Sequence, residues 1–361
     1  MTFPVPVTLL TGFLGAGKTT LLNRMLKGPA LADAAVIVNE FGDVGVDNHL
    51  VEASGDALIE LSGGCLCCTM GSELSETLAD LIDRMQTGRI RPLSRIVIET
   101  TGLADPAPVI RSIIGHPALA AAIRLDAVVT VVDALNGALT LDEHPESVVQ
   151  AALADRIVLS KTAGADARAT GALVQRLRQL NPLAPILRGD DIKDAAALAM
   201  DAGFSPARLG APAAHGGHHH DHDHDHHGHG HHHHGPHDHA VRSFVLVHDR
   251  PVDRLAFGLF LDLVLSAHGD GLLRMKGLCR TADDPDRPLI VQAVRRALAP
   301  PTRLGRLPDG LDGVQLVLIG RDLDEKSIRD VFAAFLEGPG IDRPDRAALT
   351  DNPLALPGAF R

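Results

Sequence analysis

The stretch Gly12-Phe-Leu-Gly15-Ala16-Gly17-Lys18-Thr19-Thr20 combines flexible backbone, one ammonium group and adjacent hydroxyls. That set suits a triphosphate. Glycines let the chain wrap closely around phosphate oxygens, with successive N–H groups pointing inward as an anion nest. An apolar run over residues 5–10 precedes the segment and a helical pattern opens near Thr19, so a positive helix end faces the same oxygens. Lys18 would reach the β- and γ-phosphates, and the Thr19 hydroxyl would ligate Mg²⁺. The expected nucleotide contacts here are Gly12, Gly15, Ala16, Gly17, Lys18, Thr19 and Thr20. The plain alternative is a glycine-rich turn with no ligand, and the flanking strand and helix argue against it.

Three further constellations carry chemistry. Ile96-Val-Ile-Glu99-Thr-Thr-Gly102 is an apolar strand ending in a carboxylate, the position from which an acid holds Mg²⁺ directly or through water. Lys18 and Glu99 are thus the expected catalytic pair, Thr19 and Glu99 the magnesium ligands. Gly102 would offer its N–H to the γ-phosphate, making the loop a nucleotide-sensitive switch. Ser160-Lys161-Thr162-Ala163 closes a later strand and fits the first two residues of the guanine-reading pattern Asn/Ser-Lys-x-Asp. Ala163 replaces the aspartate, which predicts weakened discrimination of GTP from ATP; Asp166 is the nearest substitute. Finally, Cys65-Leu-Cys67-Cys68 follows two glycines. Thiolates are soft ligands for Zn²⁺ and other late transition metals. Two of them plus a residue from elsewhere fit one tetrahedral ion more easily than all three. Buried, unreactive cysteine is the alternative.

These residues need a scaffold. The chain has 361 residues, enough for two domains, and is 45% hydrophobic but only 3% aromatic, with no Trp or Tyr, so its cores must be aliphatic. With 34 basic against 45 acidic residues, general nucleic-acid or anionic-membrane binding is not expected. No run approaches the ~20 apolar residues of a membrane helix. The N-terminus lacks the basic region of a signal peptide, and clustered cysteines suit a reducing compartment, with the cytoplasm as default.

Residues 5–10, 35–39, 95–100, 126–133, 155–160 and 185–188 read as buried strands, and 19–27, 72–85, 106–114 and 165–180 as helices. That alternation predicts an α/β fold: a P-loop domain over residues 1–205 whose mostly parallel sheet is covered by helices. Residues 206–240 form a His-rich linker with no hydrophobic pattern; fifteen of the twenty histidines lie within 215–239, interleaved with four Asp. Imidazoles in that number suit low-affinity collection of transition-metal ions. The five scattered histidines, His144 among them, carry no such signal. A smaller C-terminal α+β domain is expected over 241–340, with strands at 243–247, 272–275, 289–293 and 315–319 and helices at 255–266 and 326–336, then an irregular tail over 341–361.

Together these segments resemble the CobW-type metallochaperone GTPases. The resemblance rests on the P-loop, Val38-Asn-Glu40-Phe-Gly42, Gly-Gly-Cys65-Leu-Cys67-Cys68, Glu99-Thr-Thr-Gly-Leu-Ala-Asp105-Pro and Ser160-Lys161. In the second domain it extends to Leu272-Leu-Arg-Met-Lys-Gly277 and Ile319-Gly-Arg-Asp-Leu-Asp324. It implies GTP hydrolysis coupled to delivery of Zn²⁺ or Co²⁺ to a metal-requiring client protein. It also implies Cys65, Cys67 and Cys68 as the metal site, with Glu40 as a further ligand or switch carboxylate. An ATP-dependent P-loop kinase and a nucleotide-sensing metal store are the competing readings.

Overall fold

A computed structural model describes residues 4–39, 58–61, 70–116, 119, 121–200 and 241–336. Glu40, Cys65, Cys67, Cys68, the His-rich stretch and residues 341–361 lie outside the described residues.

The N-terminal half is one parallel sheet of seven strands: β1 (Val5–Gly12), β2 (Ala34–Asn39), β3 (Leu58–Leu61), β4 (Arg95–Glu99), β5 (Ile123–Asp133), β6 (Arg156–Ser160) and β7 (Ile186–Arg188). Their order in space is β3-β2-β4-β1-β5-β6-β7. The helices are α1 (Lys18–Leu26), α2 (Met70–Gln86), α3 (Ala107–Gly115), α4 (Gly137–Glu143), α5 (Pro145–Leu153) and α6 (Ala167–Leu180). Two cores result, one on each face. Leu74, Leu78, Leu81, Ile82 and Met85 of α2 and Leu173 and Leu177 of α6 recur at helical spacing and join the first. Leu21, Leu22 and Met25 of α1 join the second.

The chain runs outward from β1 to β2 and β3, and later from β5 to β7 on the other side. The crevice beyond the carboxyl ends of β4, β1 and β5 is therefore a topological switch point, where such sheets bind ligands. Strand β3 and the helices α4 and α5 are absent from the sequence-based expectation; the other strands and α-helices of this half match it to within a few residues at each end.

The C-terminal half is an antiparallel sheet ordered β11-β10-β9-β13-β8, with β12 paired to β10. Its strands are β8 (Val241–His248), β9 (Leu272–Thr281), β10 (Asp284–Val294), β11 (Ala297–Leu298), β12 (Thr302–Arg303) and β13 (Val314–Arg321). Helices α7 (Arg254–His268) and α8 (Glu325–Leu336) cover one face, packing Phe257, Phe260 and Phe332 onto Leu316 and Leu318. Alternate side chains point the other way: Leu273, Val294, Val317 and Ile319 join the first core of the N-terminal half. This sheet is buried on both faces, which explains why β9 and β13 are almost continuously buried although antiparallel.

One charged cluster sits in that interface. Asp155, immediately before β6, takes hydrogen bonds from Arg274 and, at 2.6 Å, from Lys276, both on β9. It also accepts the Val128 N–H at 2.9 Å. All three side chains are at most 7% exposed. Burial pushes the Asp155 carboxyl up, but the two cations outweigh it and hold it below the usual carboxylate range.

Candidate functional site

The turn from β1 into α1 needs its glycines for steric reasons. Gly12 lies at φ 139, and a Cβ there would stand 2.3 Å from the Val131 carbonyl oxygen of the neighbouring strand β5. Gly15 and Gly17 follow in left-handed backbone, Gly17 directly before the first turn of α1. Within this loop the Lys18 Nζ lies 3.3 Å from the Phe13 carbonyl, in a side chain that is almost wholly buried. The Phe13 ring stacks on His144 with centroids 4.3 Å apart, so this histidine buttresses the loop rather than lying idle at a helix end.

Beside Lys18, the Thr19 hydroxyl donates to Glu99 Oε1 at 2.9 Å. The expected magnesium ligands therefore stand side by side although 80 residues separate them. β4 reaches this position because its five residues are all buried and pair with β1 in register Leu10↔Glu99. Thr100 continues the coupling, its hydroxyl donating to Thr11 at 2.9 Å.

The loop after Glu99 is pressed against the P-loop. A Cβ on Gly102 would lie 2.4 Å from the Leu14 backbone nitrogen, so only glycine permits this approach. Gln150 of α5 holds the loop from behind: its Nε2 donates to the Gly102 and Ala104 carbonyls, both at 3.1 Å. Gln150 is buried and its Oε1 has no partner among the described residues. A lone Gln inside an unassigned helix carries no motif.

The turn after β6 closes the other side. Ser160 Oγ donates to the Ala16 carbonyl at 2.7 Å, tying this turn to the P-loop. Lys161 sits in left-handed backbone at φ 55 and its Nζ contacts Asp133 at 2.7 Å. Burial raises the Asp133 carboxyl, yet Lys161, the Leu135 N–H and the Asn136 amide together hold it below the ordinary range. Asp133 is a second residue that no motif pointed to. Ala163 is exposed in the Thr162–Gly164 turn. Asp166 does not approach the turn as a substitute carboxylate; it caps α6, accepting the Ala169 N–H at 2.8 Å. The Thr162 hydroxyl donates to Asp190, in the turn that follows β7.

Thr20 is exposed on α1. Between the P-loop and the end of β5, a cavity of about 270 Å³ is lined by Phe13, Ala16, Thr130, Asp133, Gln150 and Lys161 among others. Among the described residues, no three His, Cys, Asp or Glu side chains gather to hold a metal ion. The fourth cysteine, Cys279, is buried in the second domain, where desolvation pushes its thiol up and leaves it unsuited as a thiolate ligand. No described helix is long and apolar enough to cross a membrane.

Comparison with known proteins agrees with this geometry. Residues 6–188 match the CobW/HypB/UreG nucleotide-binding domain, and residues 241–336 match the cobalamin synthesis protein CobW C-terminal domain. The zinc chaperone YjiA of Escherichia coli is 33% identical over 334 residues, spanning 92% of this chain and 99% of that protein. The zinc chaperone CobW of a Sinorhizobium species is 31% identical over 367 residues, spanning 92% and 97% respectively. The crystal structure of Zn(II)-bound YjiA GTPase from Escherichia coli superposes with a TM-score of 0.64 at 29% identity, covering 92% of this chain and 99% of that one. The chain belongs to the CobW/HypB/UreG family of P-loop GTPases, in the form that carries the CobW C-terminal domain.

Proposed function

We propose that this protein hydrolyses GTP and uses the cycle to deliver Zn²⁺ to a client protein. The observation that carries the nucleotide half is the hydrogen bond between Thr19 and Glu99 at the mouth of a glycine-built P-loop. Hard, adjacent oxygens of this kind fit Mg²⁺. When bound, the ion would neutralise charge on the transferring phosphoryl group. Gly12, Gly15, Ala16 and Gly17 would cradle the phosphates through their backbone, with Thr20 beside them. Lys18 would turn from the Phe13 carbonyl to the β- and γ-oxygens, Gly102 would sense the γ-phosphate, and Ser160 and Lys161 would frame the base.

The metal half rests on chemistry and kinship. Cys65, Cys67 and Cys68 offer soft thiolates, and Glu40 a carboxylate in the segment between β2 and β3. Relatives matched over 92% of the chain are named zinc chaperones, which favours Zn²⁺ over Co²⁺ as the cargo. The His-rich stretch would add weak capacity that fades as imidazoles protonate below about pH 6.5.

The nucleotide half is tested by Lys18→Ala. Loss of a charge-assisted contact worth ~2–4 kcal/mol to the developing phosphate charge slows turnover by roughly 30- to 1,000-fold. Wild-type GTP turnover in this variant, with circular dichroism unchanged, would rule out the phosphate-site assignment.

A further inference from the structure

The turn expected to read the base lacks its own carboxylate, because Ala163 presents only a methyl group there. Asp166 is occupied as the cap of α6. A carboxylate nevertheless reaches this turn from another element. Strand β7 lies beside β6 in register Leu159↔Arg188, so the Thr162–Gly164 and Gly189–Asp191 turns leave the sheet side by side. Gly189 is buried, and a Cβ on it would stand 3.1 Å from the Leu159 carbonyl oxygen, which shows how closely the second turn follows the end of β6. Asp190, the next residue, is exposed, and its Oδ2 accepts the hydrogen bond from the Thr162 hydroxyl. Its Oδ1 makes no hydrogen bond among the described residues. Ser160 holds the same turn to the P-loop, so the turn that Asp190 contacts is itself tied to the phosphate site.

We propose that Asp190 is the guanine-specificity residue of this chain, replacing the aspartate absent at position 163, with Thr162 orienting its carboxylate. This rests on the reading of the protein as a GTPase. Guanine offers two donors, N1–H and the C2 amino group, to such a carboxylate; hypoxanthine offers one, and adenine presents a lone pair at N1. A hydrogen bond to a charged group separates guanine from adenine by roughly 10- to 150-fold. The weak discrimination that Ala163 alone predicts is thereby restored from a neighbouring strand.

The test is to measure GDP, IDP, ADP and XDP affinity for the wild type, Asp190→Ala, Asp190→Asn and Asp166→Ala. The wild type is expected to prefer GDP over ADP. Asp190→Ala loses that preference while its ADP affinity, which reports an intact phosphate site, is retained. Asp190→Asn keeps a partner for Thr162 but turns an acceptor into an amide donor that meets the C2 carbonyl of xanthine, so it gains XDP. Asp166→Ala keeps the wild-type preference. A GDP preference that survives Asp190→Ala overturns the proposal and leaves the GTPase reading intact, as does failure of the folded Asp190→Asn variant to gain XDP. Equal GDP and ADP affinity in the wild type sinks the guanine assignment itself, and this proposal with it.

Discussion

Gln150 joins two parts of the site that the motifs treat separately. Its amide bridges the Gly102 and Ala104 carbonyls from inside the core, and Thr130 Oγ1 donates to its backbone carbonyl at 2.8 Å. The side chain's hydrogen bonds all go to the loop that follows Glu99, so its part is to hold that loop. Each such hydrogen bond is worth about 1 kcal/mol net. Replacing Gln150 with Leu is therefore expected to slow GTP turnover by about 5- to 30-fold, while GDP affinity, which makes no demand on a γ-phosphate loop, stays near wild type. Steady-state kinetics beside GDP binding checks this. Equal losses in both would show a general packing defect instead. Asp133 works on Lys161 in the same indirect way, fixing an ammonium group in a residue whose backbone already occupies the left-handed region.

The element that brings these contacts together is the pair of turns after β1 and β4. Gly102→Ala forces a Cβ to within 2.4 Å of backbone at Leu14, and backbone cannot swing aside as a side-chain tip would. The P-loop and the following loop then cannot both keep their places. GTP turnover is expected to fall by at least about 10-fold, equivalent to ~1.4 kcal/mol, with secondary structure unchanged by circular dichroism. Undiminished turnover would mean that the close approach is dispensable. Strands such as Arg95–Glu99 and Arg156–Ser160 are legible in the sequence because strands buried in a parallel sheet are nearly unbroken apolar runs. Helices α4 and α5 are not, for identifiable reasons. α4 starts at Asn136-Gly137, which reads as a turn, and has only seven residues. α5 opens on Pro145 and buries Ser147 and Gln150 among its apolar residues, so its inner face does not stand out as an apolar stripe. In β9, Arg274 and Lys276 interrupt the apolar alternation, yet they are buried because Asp155 awaits them across the interface. Asp190 escapes a motif search because sheet register, not chain distance, brings it to Thr162.

At the scale of the molecule, the two sheets share a core, and Asp155 is a buried charge at their junction. Asp155→Ala leaves Arg274 and Lys276 buried without their carboxylate, a loss of about 3–5 kcal/mol. The pH dependence has a definite sign. A carboxyl held below its unfolded value of about 3.9 contributes stability above that pH and loses it as the pH falls through the folded value. The Tm gap between wild type and Asp155→Asn should therefore be full near neutrality and narrow below about pH 4; a gap independent of pH would contradict the ionised pair. The proposed cycle requires nucleotide state and zinc affinity to be coupled. Linkage requires the coupling to be reciprocal, so Zn²⁺ must shift nucleotide affinity by the factor by which nucleotide shifts Zn²⁺ affinity. The direct measurement is Zn²⁺ affinity with residues 215–239 deleted, in the presence of a non-hydrolysable GTP analogue and of GDP, for the wild-type cysteines and for Cys67→Ala with Cys68→Ala. Tight binding is expected to survive the deletion, to differ between the two nucleotides and to disappear with the cysteines. High-affinity binding that is lost with the His-rich stretch, or that is identical in both nucleotide states, would contradict the proposed cycle.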